Sequence, residues 1–205
     1  MNNINAIKFL SEGASIISLA TVRAKSCKQI DCNISLEYSY NGIDWNEWDL
    51  SALTVNSGDT LYIRGNNPSG FSYNPLAYYT FRIEGGKVSC SGNIMSLIDY
   101  KNLPDVIPCK YCFYGLFEGC TSLTTAPELP ATTLADFCYA FMFYGCNSLT
   151  FAPKLPAKIL INYCYRKMFA YCTALTAKPE LPAILPPNWY YFRMFDGCTF
   201  LKDKK

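Results

Sequence analysis

From residue 103 to the end of the chain, apolar positions recur with two periods at once. Within an eight-residue stretch they fall at i, i+3, i+4 and i+7, and the whole stretch returns every 26 residues. The columns are Phe113, Tyr139, Tyr165, Tyr191; then Leu116, Met142, Met168, Met194; then Phe117, Phe143, Phe169, Phe195; and last Cys120, Cys146, Cys172, Cys198. Such spacing places an apolar stripe on one face of a helix and predicts a short helix in each copy. Gly119, Gly145 and Gly197 precede the last cysteine, where a helix would close through a left-handed residue; Tyr171 breaks that column. A leucine column follows, Leu123, Leu149, Leu175 and Leu201, and predicts short strands over 122–126, 148–152 and 174–178. Pro127, Pro153 and Pro179 stop them.

The first 97 residues follow another pattern. IKFL, SIISLA, ISLEYSY, TLYIRG, YYTFRIEG and KVSCSG are short, often alternating, and rich in β-branched and aromatic residues. Turn signals separate them, among them Asn41-Gly42, Ser57-Gly58-Asp59, Asn67-Pro68-Ser69-Gly70 and Gly85-Gly86. Six or seven strands at this spacing predict an antiparallel β-sandwich of immunoglobulin-like kind. Of Trp45 and Trp48, one is expected in its core and the other half exposed.

The expected fold class is therefore α+β, with a β-sandwich over residues 1–97 and a repeat region over 98–205. A Leu-Pro pair opens each 26-residue copy, at Leu103, Leu129, Leu155 and Leu181. A single helix–strand unit cannot bury its own apolar face, whereas stacked units can. A period of 26 lies in the leucine-rich-repeat range and does not suit ankyrin or tetratricopeptide units. The expectation is a short solenoid of four helix–strand repeats, its first end covered by the β domain. Residues 93–102 join the two with little free linker. At the other end Lys202, Asp203, Lys204 and Lys205 form a charged terminus that discourages edge pairing.

The segments FEGCTSLTTAPELPA and FYGCNSLTFAPKLPA, with CYAFMFYGC upstream, resemble the BspA-like leucine-rich repeats of bacterial surface proteins. The LPATTLA variant is similar to repeats of gut Bacteroides-type bacteria and their phages. The resemblance covers residues 103–205 and implies adhesion or display through protein or glycan contacts, with no catalytic residue to carry over. Two placements follow. The chain opens at Met1 without a basic stretch, a long apolar run and a cleavage site, which favours a phage virion component assembled in the host cytoplasm. The alternative is a bacterial cell-surface adhesin whose export signal is absent from this chain. Partners would be other virion proteins or a host-surface protein or glycan, and a homo-oligomer is compatible with either placement.

Composition narrows the function classes. Half of the 205 residues are hydrophobic, 16% are aromatic and 17% are charged, enough apolar material for a sizeable core. A net charge of +2 with no long run of one sign gives no reason to expect nucleic acid as a partner. No apolar run approaches membrane-spanning length. There is no histidine, which removes the commonest general base and every mixed His/Cys zinc site. Glu118, Glu128, Asp136, Glu180 and Asp196 share no column, so a glycosidase-type carboxylate pair has no support. No glycine-rich phosphate loop is present. The reading is a protein with no catalytic residues, no cofactor and no metal.

Two constellations remain. Eleven cysteines include the columns Cys112, Cys138, Cys164 and Cys120, Cys146, Cys172, Cys198, plus a lone C-x2-C at Cys109–Cys112. They read as small hydrophobes stacked in a reduced repeat core rather than as metal or redox sites. Cys27 and Cys32 are close enough in sequence to pair under oxidation. The second constellation is an aromatic ladder one residue ahead of the first cysteine column: Tyr111, Phe137, Tyr163 and Trp189. Packing against the preceding Leu-Pro turns is the default role for these side chains. The alternative is a ligand-binding face for sugar rings or an aromatic-rich protein surface.

Overall fold

The computed structural model describes residues 4–23, 34–72, 74–181 and 189–201. Cys27, Cys32, Pro182 and the terminus 202–205 lie outside the described residues. Among the described residues nine strands form in chain order: β1 (Ile7–Ser11), β2 (Ser15–Arg23), β3 (Leu36–Ser39), β4 (Asn46–Glu47), β5 (Leu53–Val55), β6 (Thr60–Gly65), β7 (Ala77–Gly85), β8 (Val88–Ser91) and β9 (Leu123–Thr125). They make a six-stranded sheet, β4-β3-β6-β1-β8-β9, and a three-stranded sheet, β5-β2-β7. Alternation dictates which faces meet. Ile7 and Phe9 of β1, Leu61 and Ile63 of β6, and Phe81 of β7 are all fully buried. Phe9 meets Phe81 edge-on at 5.2 Å between ring centres.

Trp48 is buried and donates its indole N–H to the Ser51 carbonyl. Trp45 lies half exposed at the edge, where the Arg64 guanidinium sits between its ring, at 3.7 Å, and that of Tyr100, at 4.0 Å. Glu37 completes that surface cluster with an ion pair to Arg64 at 2.6 Å.

Within residues 1–97 every described strand pair is antiparallel, in two sheets, and the larger sheet gains one parallel strand, β9, from the repeat region. The α+β class, with its helix–strand leucine-rich solenoid, is overturned. Among the described residues there is no α-helix, only a single 3-10 turn at Ile94–Leu97, and β9 is the one strand after residue 98. The strands expected over 148–152 and 174–178 are absent.

What replaces the helix is a ribbon of consecutive turns. Even-numbered residues close local turns, as when Met142 N–H bonds to the Tyr139 carbonyl and Tyr144 N–H to that of Phe141. Odd-numbered residues donate instead to the following copy: Tyr139 to Cys164, Phe141 to Arg166, Phe143 to Met168, Gly145 to Ala170. The same alternation binds the first copy to the second and the third to the fourth, with distances between 2.7 and 3.1 Å. To aim alternate N–H groups outward, every fourth residue turns left-handed. In the second copy these are Phe137, Phe141 and Gly145, and in the third Tyr163, Lys167 and Tyr171, with φ between 49° and 73°.

Spacing explains why the helix loses. The aromatic columns stack copy on copy, with Phe117–Phe143, Phe143–Phe169 and Phe169–Phe195 ring centres 5.3, 5.6 and 5.8 Å apart and nearly parallel. Packed helices need roughly 8–10 Å between axes. A separation slightly above the ~4.8 Å of hydrogen-bonded strands admits only chains that bond directly to one another. The apolar stripe is buried as the pattern requires, because the ribbon also turns Tyr139, Met142, Phe143 and Cys146 to one side.

The β layer closes the first end of this stack. Phe81 lies parallel to Phe117 at 5.1 Å, its N–H donates to the Leu116 carbonyl, and its own carbonyl accepts from Cys120 Sγ. Phe71 meets Phe113 at 5.9 Å and so heads the second aromatic column. One hydrophobic core runs from Ile7 to Met194 without a break.

Lys167 tests the ribbon, because its φ of 49° lies mid-way along the stretch expected to be helical. A left-handed non-glycine residue costs about 1–2 kcal/mol, against about 0.5–1 kcal/mol for the extra chain entropy of glycine. Lys167→Gly should therefore be more stable than Lys167→Ala, by about 0.5–1 kcal/mol in urea unfolding. An α-helix would reverse the order by a similar amount, since alanine is the better helix former by about 1 kcal/mol.

Candidate binding face

The cysteine columns are structural. Cys112, Cys138 and Cys164 are buried, as are Cys120, Cys146 and Cys172. In the second column each thiol donates to the carbonyl of the phenylalanine one copy back: Cys146 to Phe117 at 3.1 Å, Cys172 to Phe143 at 3.0 Å, Cys198 to Phe169 at 3.0 Å. A small side chain with a weak donor is what that slot accepts. Burial pushes Cys120, Cys164 and Cys172 up to about 12 and carries Cys138 and Cys146 upward as well. These groups are neutral thiols near neutral pH, poor both as nucleophiles and as metal ligands. Among the described residues no three His, Cys, Asp or Glu side chains gather to hold a metal ion, and no helix is long and apolar enough to cross a membrane.

The aromatic ladder takes a definite position. Tyr111, Phe137 and Tyr163 stack face to face, with ring centres 4.8 Å apart at both steps and planes within 17°. They are half-buried, and each occupies a left-handed position at the start of its ribbon. The rings therefore pack on each other. Trp189 stands apart from that stack: it is 57% exposed and meets Phe192 edge-on at 5.1 Å.

Beside the ladder runs a second aromatic row that the helical reading missed. Tyr114 touches Tyr111 at 5.9 Å and Phe141 at 5.3 Å; Phe141 touches Tyr144 at 5.6 Å, and Tyr144 touches Tyr171 at 5.3 Å. Three cations join it. The Arg166 guanidinium lies 5.5–5.8 Å from the ring centres of Tyr163, Phe192 and Phe141. Lys167 stands over Phe141 and Arg193 over Phe192. Arg166 Nε is buried without a hydrogen-bond partner. At the near end, burial lifts the Tyr114 hydroxyl to about 12, and Tyr78 donates to the Glu118 carboxylate. Lys110 pairs with Asp136 at 2.9 Å across the first two copies. The signal for this row was the pair of adjacent columns Tyr114, Ala140, Arg166, Phe192 and Gly115, Phe141, Lys167, Arg193.

Chemically, the face offers flat π surfaces in a row with cationic side chains laid over them. Such a surface holds the apolar faces of sugar rings or aromatic side chains of a protein, and its cations favour a partner bearing acidic groups. A second concavity, a cleft of about 640 Å³, is lined by Pro127, Leu129, Pro130, Pro153 and Pro156 with Glu128 and Lys154 at its sides.

The chain matches no known family model, no curated protein and no solved structure.

The buried thiols make stability depend on alkaline pH. In the unfolded chain a thiol gives up its proton near pH 8.5, whereas Cys120, Cys164 and Cys172 hold theirs to about 12 in the folded chain. Between those values the folded state binds more protons, so stability falls as pH rises. The urea midpoint should be level from pH 6 to 8 and drop progressively from pH 9 upward. A midpoint that stays level through pH 10.5 would contradict the burial of these groups.

Proposed function

We propose that the chain is a non-enzymatic adhesive or structural module, displayed on a phage virion and making protein or glycan contacts through its aromatic face. The observation that carries the binding part is the row Tyr111, Phe137, Tyr163: three parallel rings, half-buried and backed by hydrogen-bonded copies. Rings held in register lose little freedom on binding, so contacts made with them are not weakened by ordering costs. Trp189, exposed at the far copy, extends the surface. The chemistry present also favours display over turnover, since the cysteine columns of the first three copies are buried and the face is built of rings and cations.

Placement on a virion rests on the likeness of the repeats to those of gut bacteria and their phages. Detecting the chain in purified phage particles supports it, and finding it only on bacterial outer surfaces replaces it with a cell-surface adhesin.

Tyr163→Ala and Trp189→Ala test the face itself. Screening the wild-type chain against immobilised host-surface glycans and host-cell envelope protein identifies what is retained. Each substitution should weaken that retention by about tenfold or more, about 1.4 kcal/mol. Melting of Trp189→Ala should stay unchanged. Retention at wild-type strength in both variants removes the face from the reading.

A further inference from the structure

Nine free cysteines lie among the described residues, and one pair of them shares a single neighbour in the β half. Cys109 and Cys112 sit at the two ends of the turn that opens the first ribbon. Cys112 is buried, while Cys109 is half exposed. Their sulfurs converge on one point of the β layer: a Cβ placed on Gly70 would lie 2.4 Å from Cys109 Sγ and 3.2 Å from Cys112 Sγ. Gly70 itself has a φ of 96°. The loop therefore presents its one residue without a side chain to the thiol pair. Cys109 Sγ also reaches the Ser72 carbonyl at 3.4 Å.

We propose that Cys109 and Cys112 form a reversible dithiol–disulfide site, oxidised by small disulfides, in a chain whose other buried thiols are inert. A four-residue turn holds its end Cα atoms within about 7 Å, close to the separation a disulfide spans. The two thiols are also unlike each other in the way such exchange requires. The hydrogen bond from Cys112 holds Cys109 below the usual thiol range, and burial holds Cys112 well above it. Cys109 thus attacks and Cys112 resolves. With glutathione disulfide, the Cys109 thiolate displaces one glutathione thiolate and leaves a mixed disulfide on Cys109. Cys112, giving its proton to the released glutathione, then attacks Cys109 Sγ and expels the second glutathione. Two protein thiols are oxidised and one glutathione disulfide is reduced to two glutathiones. The closed ring contains Tyr111, the first rung of the aromatic stack. The site does not depend on what that face binds.

The test uses the full chain, folded, in glutathione/glutathione disulfide mixtures at neutral pH, with acid quenching, alkylation and peptide mapping. In the wild type a Cys109–Cys112 disulfide should appear, while Cys138 and Cys146 become alkylatable only after denaturation. Cys112→Ser should trap glutathione on Cys109 at least tenfold more than the wild type does. Cys112→Ala serves the same purpose if the serine variant does not fold. Cys109→Ser should leave Cys112 unmodified. The proposal is overturned if the wild type keeps as much glutathione on Cys109 as the Cys112 variants do. It is equally overturned if Cys109 reacts no faster than Cys138.

Discussion

The repeat half of this molecule depends on one hydrogen bond made again and again: the N–H of an odd-numbered residue to a carbonyl 25 positions later, in the adjacent copy. Everything else follows from the separation that bond imposes. At about 5–6 Å between equivalent rings there is no room for side chains between the copies, so each column must stack on its own kind. Phenylalanine on phenylalanine and tyrosine on tyrosine satisfy that demand with parallel rings. The cysteine column satisfies it with a side chain small enough to fit and able to donate to a carbonyl below. Left-handed residues at every fourth position are the accompanying cost, carried without strain by Gly115, Gly119 and Gly145 and with strain by Phe137, Phe141, Lys167 and Tyr171.

The same constraint ties the halves together. A stack of this kind has an unsatisfied first face, and Phe71, Phe81 and β8 supply it with two rings, a carbonyl and a strand edge. The β layer is thereby the first member of the stack. The aromatic face is a by-product of the same geometry, because any ring at the outward left-handed positions is brought into register with its counterparts.

The sequence made the period, the columns and the buried set legible, since stacking at fixed register leaves the same trace whatever the local conformation. The conformation itself was not legible. Spacing of i, i+3, i+4, i+7 is the signature of a helical face, and a ribbon of turns buries the same positions. Two residues held the difference: Gly115 and Gly119, four apart in one copy, suit a recurring left-handed turn better than a helix interior. Of the four ladder residues, Tyr111, Phe137 and Tyr163 come together, whereas Trp189 turns to Phe192. Arg166 and Phe141 escaped notice because they stand in adjacent columns rather than in one. Most β strands were read at nearly their true places from alternation and turn residues, but the short β4 and β5 were not, and the parallel pairing of β8 with β9 joins segments too far apart for any local pattern to show.

The central claim is that these copies bond to one another rather than within themselves, and the bonds themselves can be observed. Couplings across hydrogen bonds, measured by nuclear magnetic resonance on the isotope-labelled full chain, connect a donor nitrogen to its acceptor carbonyl carbon. The account predicts that the amides of Tyr139, Phe141 and Phe143 couple to the carbonyls of Cys164, Arg166 and Met168. Coupling instead to the carbonyls of Ala135, Phe137 and Tyr139, four residues earlier in the chain, would show an α-helix and contradict it.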